Sequence, residues 1–284
     1  MADRNLTHFF RGGRYSTREG MLLEIPPSGF DWQAVGGIPP VIDPYVEEVA
    51  QRFPFGTKLF HGDRQFRYAS AGVAIETGAL CQAVVPLAGH IAEVGTVANV
   101  AGDTSFTFTP AVVTTDDLAA NELQDGYALV YDGTGEGHIY KIKSHPAIVG
   151  AVAGVITLLD PIVLATAAAT PWTVLHNKYC QVIIHPSPPT AAPVGWTQTA
   201  IQAGYFFWLL VAGPTPALID SGGVAVVMGQ PCVPSTEDDG AVQQFSGDTA
   251  AEPDQGLVGW ILEIGADAAG AAATYGVVDA FLGH

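Results

Sequence analysis

Short runs of alternating apolar and polar residues, separated by turn residues roughly every eight to twelve positions, dominate the chain from Lys58 onward. The stretch from Ser105 to Thr109 alternates strictly, which is typical of a strand with one buried face. The runs YALVYD and HIYKIK flank a glycine-rich loop, an arrangement typical of a β-hairpin. Short strands at regular spacing favour sandwiches and barrels. The sequence therefore predicts a mainly β fold, with an antiparallel β-barrel or sandwich as its body.

Residues 1–42 differ from this body because no hydrophobic period extends through them. Paired turn residues such as Gly12-Gly13 and Pro26-Pro27 interrupt every candidate element. The segment still holds many large apolar side chains, whereas a disordered leader would hold fewer aromatics. We therefore expect an extended N-terminal arm that becomes ordered on a partner protein. Its expected contact residues are Arg4, Phe9, Phe10, Arg11, Arg14, Arg18, Leu22, Leu23, Phe30 and Trp32.

One short helix is predicted after this segment. Asp43 is a suitable N-cap and Pro44 suits the first helical position, while Pro54 would end the helix. The apolar face of the helix would consist of Tyr45, Val46, Val49 and Phe53.

The chain divides into three predicted regions. Residues 1–57 form the docking arm with its short helix, residues 58–190 a β-rich domain, and residues 191–284 a C-terminal β-domain. The boundary between the two β-domains is placed at the stretch from Pro186 to Pro193, which is rich in Pro, Thr and Ala.

The charges of the chain are segregated. Eight of the 11 Lys and Arg residues lie in the first seventy positions, and the rest of the chain carries the whole net charge of −17. Such an acidic body repels nucleic acid, so no nucleic-acid partner is expected. Charged residues make up only 14% of the chain, which suits a subunit that buries surface against its own copies or a lattice. An ordinary acidic β-protein is the alternative.

Targeting and redox features are sparse. Cys81, Cys180 and Cys232 form no C-x-x-C pair, which argues against a disulfide framework and for synthesis in a reducing compartment. The first twenty residues lack the apolar core of a signal peptide. The longest apolar run, Ala147 to Leu159, is too short to span a bilayer, so no membrane association is expected.

Several motifs suggest site chemistry, but none has the context that the chemistry needs. The glycine-rich stretch from Asp132 to Gly137 precedes a strand-like run rather than a helix, which favours a hairpin over a phosphate loop. His138 and His145 could approach each other across that hairpin, but no carboxylate spacing completes a metal site. The acidic run from Glu237 to Asp239 lacks a calcium-loop pattern, and no G-x-S-x-G elbow is present. We expect no catalytic residues, no metal and no cofactor.

The run from Tyr205 to Trp208 places four aromatic residues side by side. On a strand two of them would point outward, where they could form a carbohydrate platform or a contact between subunits. Their position between Gly204 and a Leu-Leu-Val run favours core and interface.

Several stretches resemble head proteins of tailed bacteriophages. They are FGTKLFHGDRQFRYASAG at 55–72, ETGALCQAVVPLAGH at 76–90, and DGTGEGHIYKIKSHP at 132–146. The C-terminal run that begins with AGYFFWLLVAGP at 203–214 and continues through GLVGWILEIG resembles small capsid-decoration domains. The similarity covers most of residues 54–284.

This resemblance implies a capsid decoration, or cement, protein that binds the outer face of a phage head and stabilises its lattice. It implies the major capsid protein as a partner, assembly as a homotrimer, a location on the virion after synthesis in the host cytoplasm, and no catalytic residues. A carbohydrate-binding or glycan-cleaving module of a fibre or tail is the alternative. Such a module would need exposed aromatics and, for cleavage, paired carboxylates about 5 to 10 Å apart.

Overall fold

The computed structural model describes residues 12–17, 19–31, 34–37, 41–111, 116–150, 152–220, 226–245, 256–265 and 274–283. The mainly β prediction is confirmed, because the structure combines a closed five-stranded barrel with a curled sheet. Within these ranges no α-helix occurs, and a short 3-10 helix spans Ala88–His90.

Twelve strands form the larger sheet. They are β1 (Gly13–Ser16), β2 (Leu22–Ile25), β3 (Lys58–His61), β4 (Arg64–Ser70), β5 (Leu80–Gln82), β12 (Ile183–Ile184), β13 (Pro193–Trp196), β14 (Phe206–Ile219), β15 (Pro231–Pro234), β16 (Val242–Gln244), β17 (Gly259–Glu263) and β18 (Thr274–Phe281).

The barrel closes because β14 is long enough to serve two parts of this sheet. Its first half pairs with β4 and its second half with β18. The remaining pairings run from β18 through β17, β15 and β16 back to β14, so five strands form a closed ring. Gly213 lies where β14 changes partner, with φ at 95°, and a Cβ there would be 2.7 Å from the Asp63 carbonyl oxygen. Glycine is therefore required at this position.

Six further strands form the second sheet. They are β6 (Glu93–Val94), β7 (Ser105–Phe108), β8 (Tyr127–Val130), β9 (Ile139–Ser144), β10 (Gly154–Leu158) and β11 (Pro171–Leu175). The strand order is β6-β11-β8-β9-β10-β7, and all its pairings are antiparallel.

This second sheet curls over its apolar face. Phe106 lies on the edge strand β7, and Trp172 lies on β11 near the opposite edge, yet their rings stack at 4.1 Å. Alternate residues of the strands point into the same core, as the period of two requires. Both rings are buried there, together with Val130, Ile142 and Ile156.

Each of the two sheets belongs to its own compact unit, and the chain passes from one unit to the other several times. Among the described residues, one unit contains residues 12–13, 26–31, 34–37, 86–111, 116–150 and 152–177, and we call it the inserted unit; the other contains residues 14–17, 19–25, 41–85, 178–220, 226–245, 256–265 and 274–283. The predicted domains 58–190 and 191–284 therefore differ from these units. The stretch from Pro186 to Pro193 is no boundary, since it joins β12 to β13 and both strands pair with β5. Pairing between strands on either side of an insertion leaves no local signal in the sequence.

The predicted helix after Asp43 is wrong. Pro44 to Val46 form a turn, and Glu48 pairs with Phe206 through two backbone hydrogen bonds of 2.7 and 2.8 Å. Val46 and Val49 are exposed while Phe53 is buried, so the expected apolar face does not exist. The capping residues are suitable for a helix, but backbone pairing with the start of β14 overrides this local preference.

The extended arm is also wrong for the described part of residues 12–31. Leu22 and Leu23 in β2 pair with Phe60 and Leu59 in β3, and Leu23 is completely buried. Phe30 is buried as well. Strand formation therefore begins before Lys58, and β2 buries the apolar side chains of Leu23 and Ile25.

The ten expected arm contacts separate into two groups. Arg14 lies on β1 and pairs with Glu24 of β2, which also contacts Lys58 Nζ at 3.3 Å, so its guanidinium is used within the same chain. The positions outside the described residues are Arg4, Phe9, Phe10, Arg11, Arg18 and Trp32.

Candidate functional site

The glycine-rich loop of residues 132–137 connects β8 to β9, which confirms the hairpin prediction. Gly137 donates its N–H to the Val130 carbonyl at 3.0 Å, and Val130 donates to the His138 carbonyl at 3.0 Å. A strand follows the loop, so its N–H groups do not precede a helix N-terminus of the kind that holds phosphate.

The two histidines of this hairpin have separate hydrogen-bonding roles. His138 Nδ1 lies 2.9 Å from the Gly135 carbonyl oxygen. His145 Nε2 accepts the N–H of Leu123 at 2.9 Å, and its Nδ1 lies 2.8 Å from the Pro146 carbonyl oxygen. Both nitrogens of His145 are therefore occupied, and the imidazole is held neutral with its proton on Nδ1.

Three histidines come together in the inserted unit, although the sequence did not group them. The rings of His90 and His176 are 6.4 Å apart, and both influence the titration of His145. His90 Nε2 lies 3.0 Å from the Asp116 carbonyl oxygen, and His176 Nε2 lies 3.3 Å from Glu122 Oε1. The three histidines are far apart in the sequence and follow no regular spacing. Their proximity depends on how the strands pair in the folded sheet, which the sequence does not show.

This histidine cluster has a structural character. Burial lowers the pKa of His145, while Glu122 acts in the opposite direction. Gly89 leaves room for the Asp116 carboxylate beside the cluster, because a Cβ there would lie 2.0 Å from Asp116 Oδ2. Among the described residues no group of three or more His, Cys, Asp or Glu side chains has the arrangement of a metal site.

A buried ion pair lies elsewhere in the same unit. Lys141 Nζ is 4.0 Å from Asp125 Oδ1, and the ammonium group also donates to the Pro27 carbonyl at 2.5 Å. Burial lowers the pKa of Lys141, and Asp125 partly opposes this shift. Its hydrogen bond to the segment at Pro27 and its carboxylate partner indicate a structural role.

The serine-bearing turn at Pro234 to Asp239 is organised by its own hydrogen bonds. Ser235 Oγ donates to Asp220 Oδ2 at 2.6 Å and accepts the N–H groups of Glu237 and Asp238 at 3.0 Å each. The hydroxyl thus fixes the turn after β15. The cysteines are also structural in character, since Cys81, Cys180 and Cys232 are buried, and burial raises the pKa of the Cys232 thiol to about 12.

The aromatic run at 205–208 contributes to the core rather than to an open platform. Phe207 and Trp208 are buried, and Tyr205 and Phe206 are partly buried. Trp208 packs against Phe53 and Tyr68, with ring centroids 5.2 and 5.0 Å apart. The preference for core over a carbohydrate platform is confirmed.

The barrel instead exposes an apolar surface on its outer side. Trp260 on β17 is 47% exposed and Tyr275 on β18 is 54% exposed. Trp260 lies opposite Pro231 of β15 and Asp279 of β18, and Leu262 follows two residues later on β17. The residues before β15 run beside β17, with a hydrogen bond of 2.7 Å from Gly229 N to the Ile261 carbonyl. We call this surface the barrel face; it consists of Val227, Met228, Leu257, Trp260, Leu262 and Tyr275.

The part of the chain that forms the barrel face carries formal charge of one sign. From Tyr179 to His284 the sequence contains no Lys or Arg and ten Asp and Glu residues. Asp279 and Glu263 lie on the strands of the face itself. This part of the chain combines exposed apolar groups with carboxylates, and it contains no Lys or Arg that could neutralise them. Such a surface is complementary to apolar side chains accompanied by arginines.

A second apolar surface lies on loops of the inserted unit. The loop of residues 95–104 is joined to the loop of residues 159–170, since Asn99 and Thr166 exchange backbone hydrogen bonds of 3.1 and 2.9 Å. Their side chains are also bonded to each other and buried. We call the exposed apolar group on these loops the loop patch; it consists of Val97, Val100, Val163 and Leu164.

Sequence reasoning missed both surfaces. In the run GWILEI apolar residues occupy both faces of the strand, so alternation alone could not indicate that Trp260 points outward. The loop valines lie between turn residues and lack any period. The contiguous absence of Lys and Arg after Lys178 was the one available signal.

No protein-family model, no curated protein and no solved structure matches this chain. Within the ranges that the structure describes, no helix has the length and hydrophobicity of a transmembrane span.

Proposed function

We propose that the protein is a structural virion component, a decoration or cement protein that binds the major capsid protein on the outer face of a tailed-phage head and stabilises the lattice. In this proposal the copies associate as homotrimers and have no enzymatic activity. The observation that carries the proposal is that each unit exposes its own apolar surface, the loop patch on one and the barrel face on the other.

A lattice subunit needs two interfaces, one for the shell and one for its neighbours. Exposed apolar area contributes roughly 25 cal/mol for each Å² removed from water, and a shell repeats every contact many times. We assign the loop patch to the capsid and the barrel face to neighbouring copies. The low content of charged residues supports this proposal, since few ions must be desolvated when such surfaces are buried.

A glycan-binding module of a fibre or tail is the second candidate. Trp260 and Tyr275 favour it, because exposed aromatic rings on a rigid strand can stack on sugar rings. This candidate assigns function to the barrel face alone and gives the loop patch no role.

Cosedimentation with capsids assembled from the major capsid protein of the same virus would test the first proposal. We expect saturable binding by the wild type and a loss of at least tenfold in affinity for Val100→Asp combined with Val163→Asp. Val155→Asp, on the outer face of β10 in the same unit, is the matched control and should bind normally. Wild-type protein that stays in the supernatant would overturn the capsid proposal. Binding to surface glycans that requires Trp260 would favour the second candidate.

A further inference from the structure

The barrel face needs an occupant that brings its own positive charge. Two identical barrel faces would place carboxylates against carboxylates, since no Lys or Arg occurs between Tyr179 and His284. Direct symmetrical contact between two barrels is therefore unfavourable. An occupant with aromatic anchors and arginines would bury the apolar groups and pair with Asp279 and Glu263.

The chain itself contains such a segment. Residues 1–11 hold Leu6, Phe9 and Phe10 as apolar anchors, and Arg4 and Arg11 outnumber the single acidic residue, Asp3. We propose that residues 1–11 of one copy bind the barrel face of another copy. The inference deepens the proposed self-association and rests on it, but it does not depend on the identity of the shell.

The barrel face is the surface that we assign to neighbouring copies, so the segment that binds it belongs to a different copy. The opposite charges of residues 1–11 and of the barrel strands support this pairing.

Such a contact joins two different surfaces and is therefore head-to-tail. Contacts of this kind close into a ring when the rotation between copies allows it, and a trimer is one such ring. The donor and the acceptor can also be inactivated separately, which a contact between identical surfaces would not permit.

Complementation between two full-length variants tests the proposal. The donor-defective variant carries Phe9→Ser and Phe10→Ser, and the acceptor-defective variant carries Trp260→Ala. In sedimentation velocity the wild type should associate at micromolar concentration, and each variant alone should associate at least tenfold more weakly. An equimolar mixture should form a heterodimer, because one copy retains the donor segment and the other retains the barrel face.

Controls separate this outcome from misfolding. Val155→Ala, an exposed valine outside the barrel face, should associate like the wild type. Leu262→Ala provides a second acceptor variant, and unchanged circular dichroism and melting temperature would establish that each variant is folded. A monomeric wild type, wild-type association by either variant, or a mixture that stays monomeric would overturn the inference. Loss of capsid binding with complementation intact would overturn the capsid proposal alone.

Discussion

The interior of the inserted unit and the outer face of the barrel use the same charge-poor sequence in opposite ways. In the inserted unit, ionisable groups such as His90, Asp116 and Asp125 are buried and held by hydrogen bonds or an ion pair. On the barrel, aromatic and aliphatic side chains are exposed on strands that carry no Lys or Arg.

The comparison contrasts residues that stabilise the fold with exposed residues that are available for a contact. Buried ionisable groups cost free energy unless they are paired, so the inserted unit depends on a fixed hydrogen-bond network. An exposed tryptophan contributes little to the free energy of folding. Its side chain gains free energy only when another surface covers it. Two tryptophans, Trp172 and Trp260, represent the two regions and differ chiefly in their burial.

The largest expected effect is that of Trp172→Ala in the core of the inserted unit. Trp172 is 1% exposed and stacks on Phe106, so its removal would create a cavity that the curled sheet cannot fill. We expect a loss of about 4 kcal/mol in the free energy of unfolding. Urea denaturation followed by circular dichroism would measure it. A loss below about 1 kcal/mol would show that the two tryptophans are not in contrasting environments.

Leucines 22 and 23 extend the comparison to the segment that we expected to be an arm. Leu23→Ala should cost about 3 kcal/mol because the side chain is completely buried, whereas Leu22→Ala should cost less than about 1 kcal/mol because its side chain is only partly buried. Denaturant titration of the two variants provides a matched comparison. Equal and small effects would restore the interpretation of this segment as a docking arm.

These residues also show how far the sequence could predict the fold. Alternation located β7, β8 and β9, because each has one buried and one exposed face. It could not locate β1 and β2, since GRYS contains one large apolar residue and LLEI has apolar residues on both faces of the strand. The inserted unit was missed for a related reason, because the pairing of β5 with β12 and β13 spans a long insertion.

The candidate surfaces were less predictable than the fold. The sequence indicated a low-charge body with an interface, but it assigned the aromatic residues at 205–208 as candidates and left Trp260 unassigned. The side of a strand that faces outward depends on which strands close the barrel. That closure follows from the change of partner within β14, which no local pattern encodes.

A pH change should weaken the interior of the inserted unit by a smaller amount. Burial lowers the pKa of His145, so the folded chain binds fewer protons than the unfolded chain when the pH falls below about 6.5. Stability should therefore decrease from pH 7.5 to 5.5 as the unfolded state takes up its proton. Glu122, His90 and His176 face the same imidazole and modulate this effect.

The variant His145→Gln should reduce this pH dependence. We expect the wild type to lose more stability than the variant between the two pH values. Each protein is compared with itself, so the hydrogen bonds lost by substitution do not enter the difference. His185 in the other unit, whose pKa burial also lowers, accounts for part of the remaining dependence. Equal losses in both proteins would mean that His145 titrates alike in the folded and unfolded chains.

The smallest effect on stability is expected for Trp260→Ala, on the barrel face. Nearly half of this side chain already contacts water. Ile261, its neighbour on β17, is the large apolar residue that this strand buries, so the barrel should remain closed without the indole. The free energy of unfolding should change by no more than about 0.5 kcal/mol in dilute protein, where association does not contribute. At concentrations where the wild type associates, its melting temperature should rise with concentration, while that of the variant should stay constant. This concentration dependence is the informative measurement, because a side chain that contacts only a second copy affects stability only when the copies associate. A large loss in dilute solution would instead make Trp260 a core residue like Trp172 and remove the contrast between the two regions.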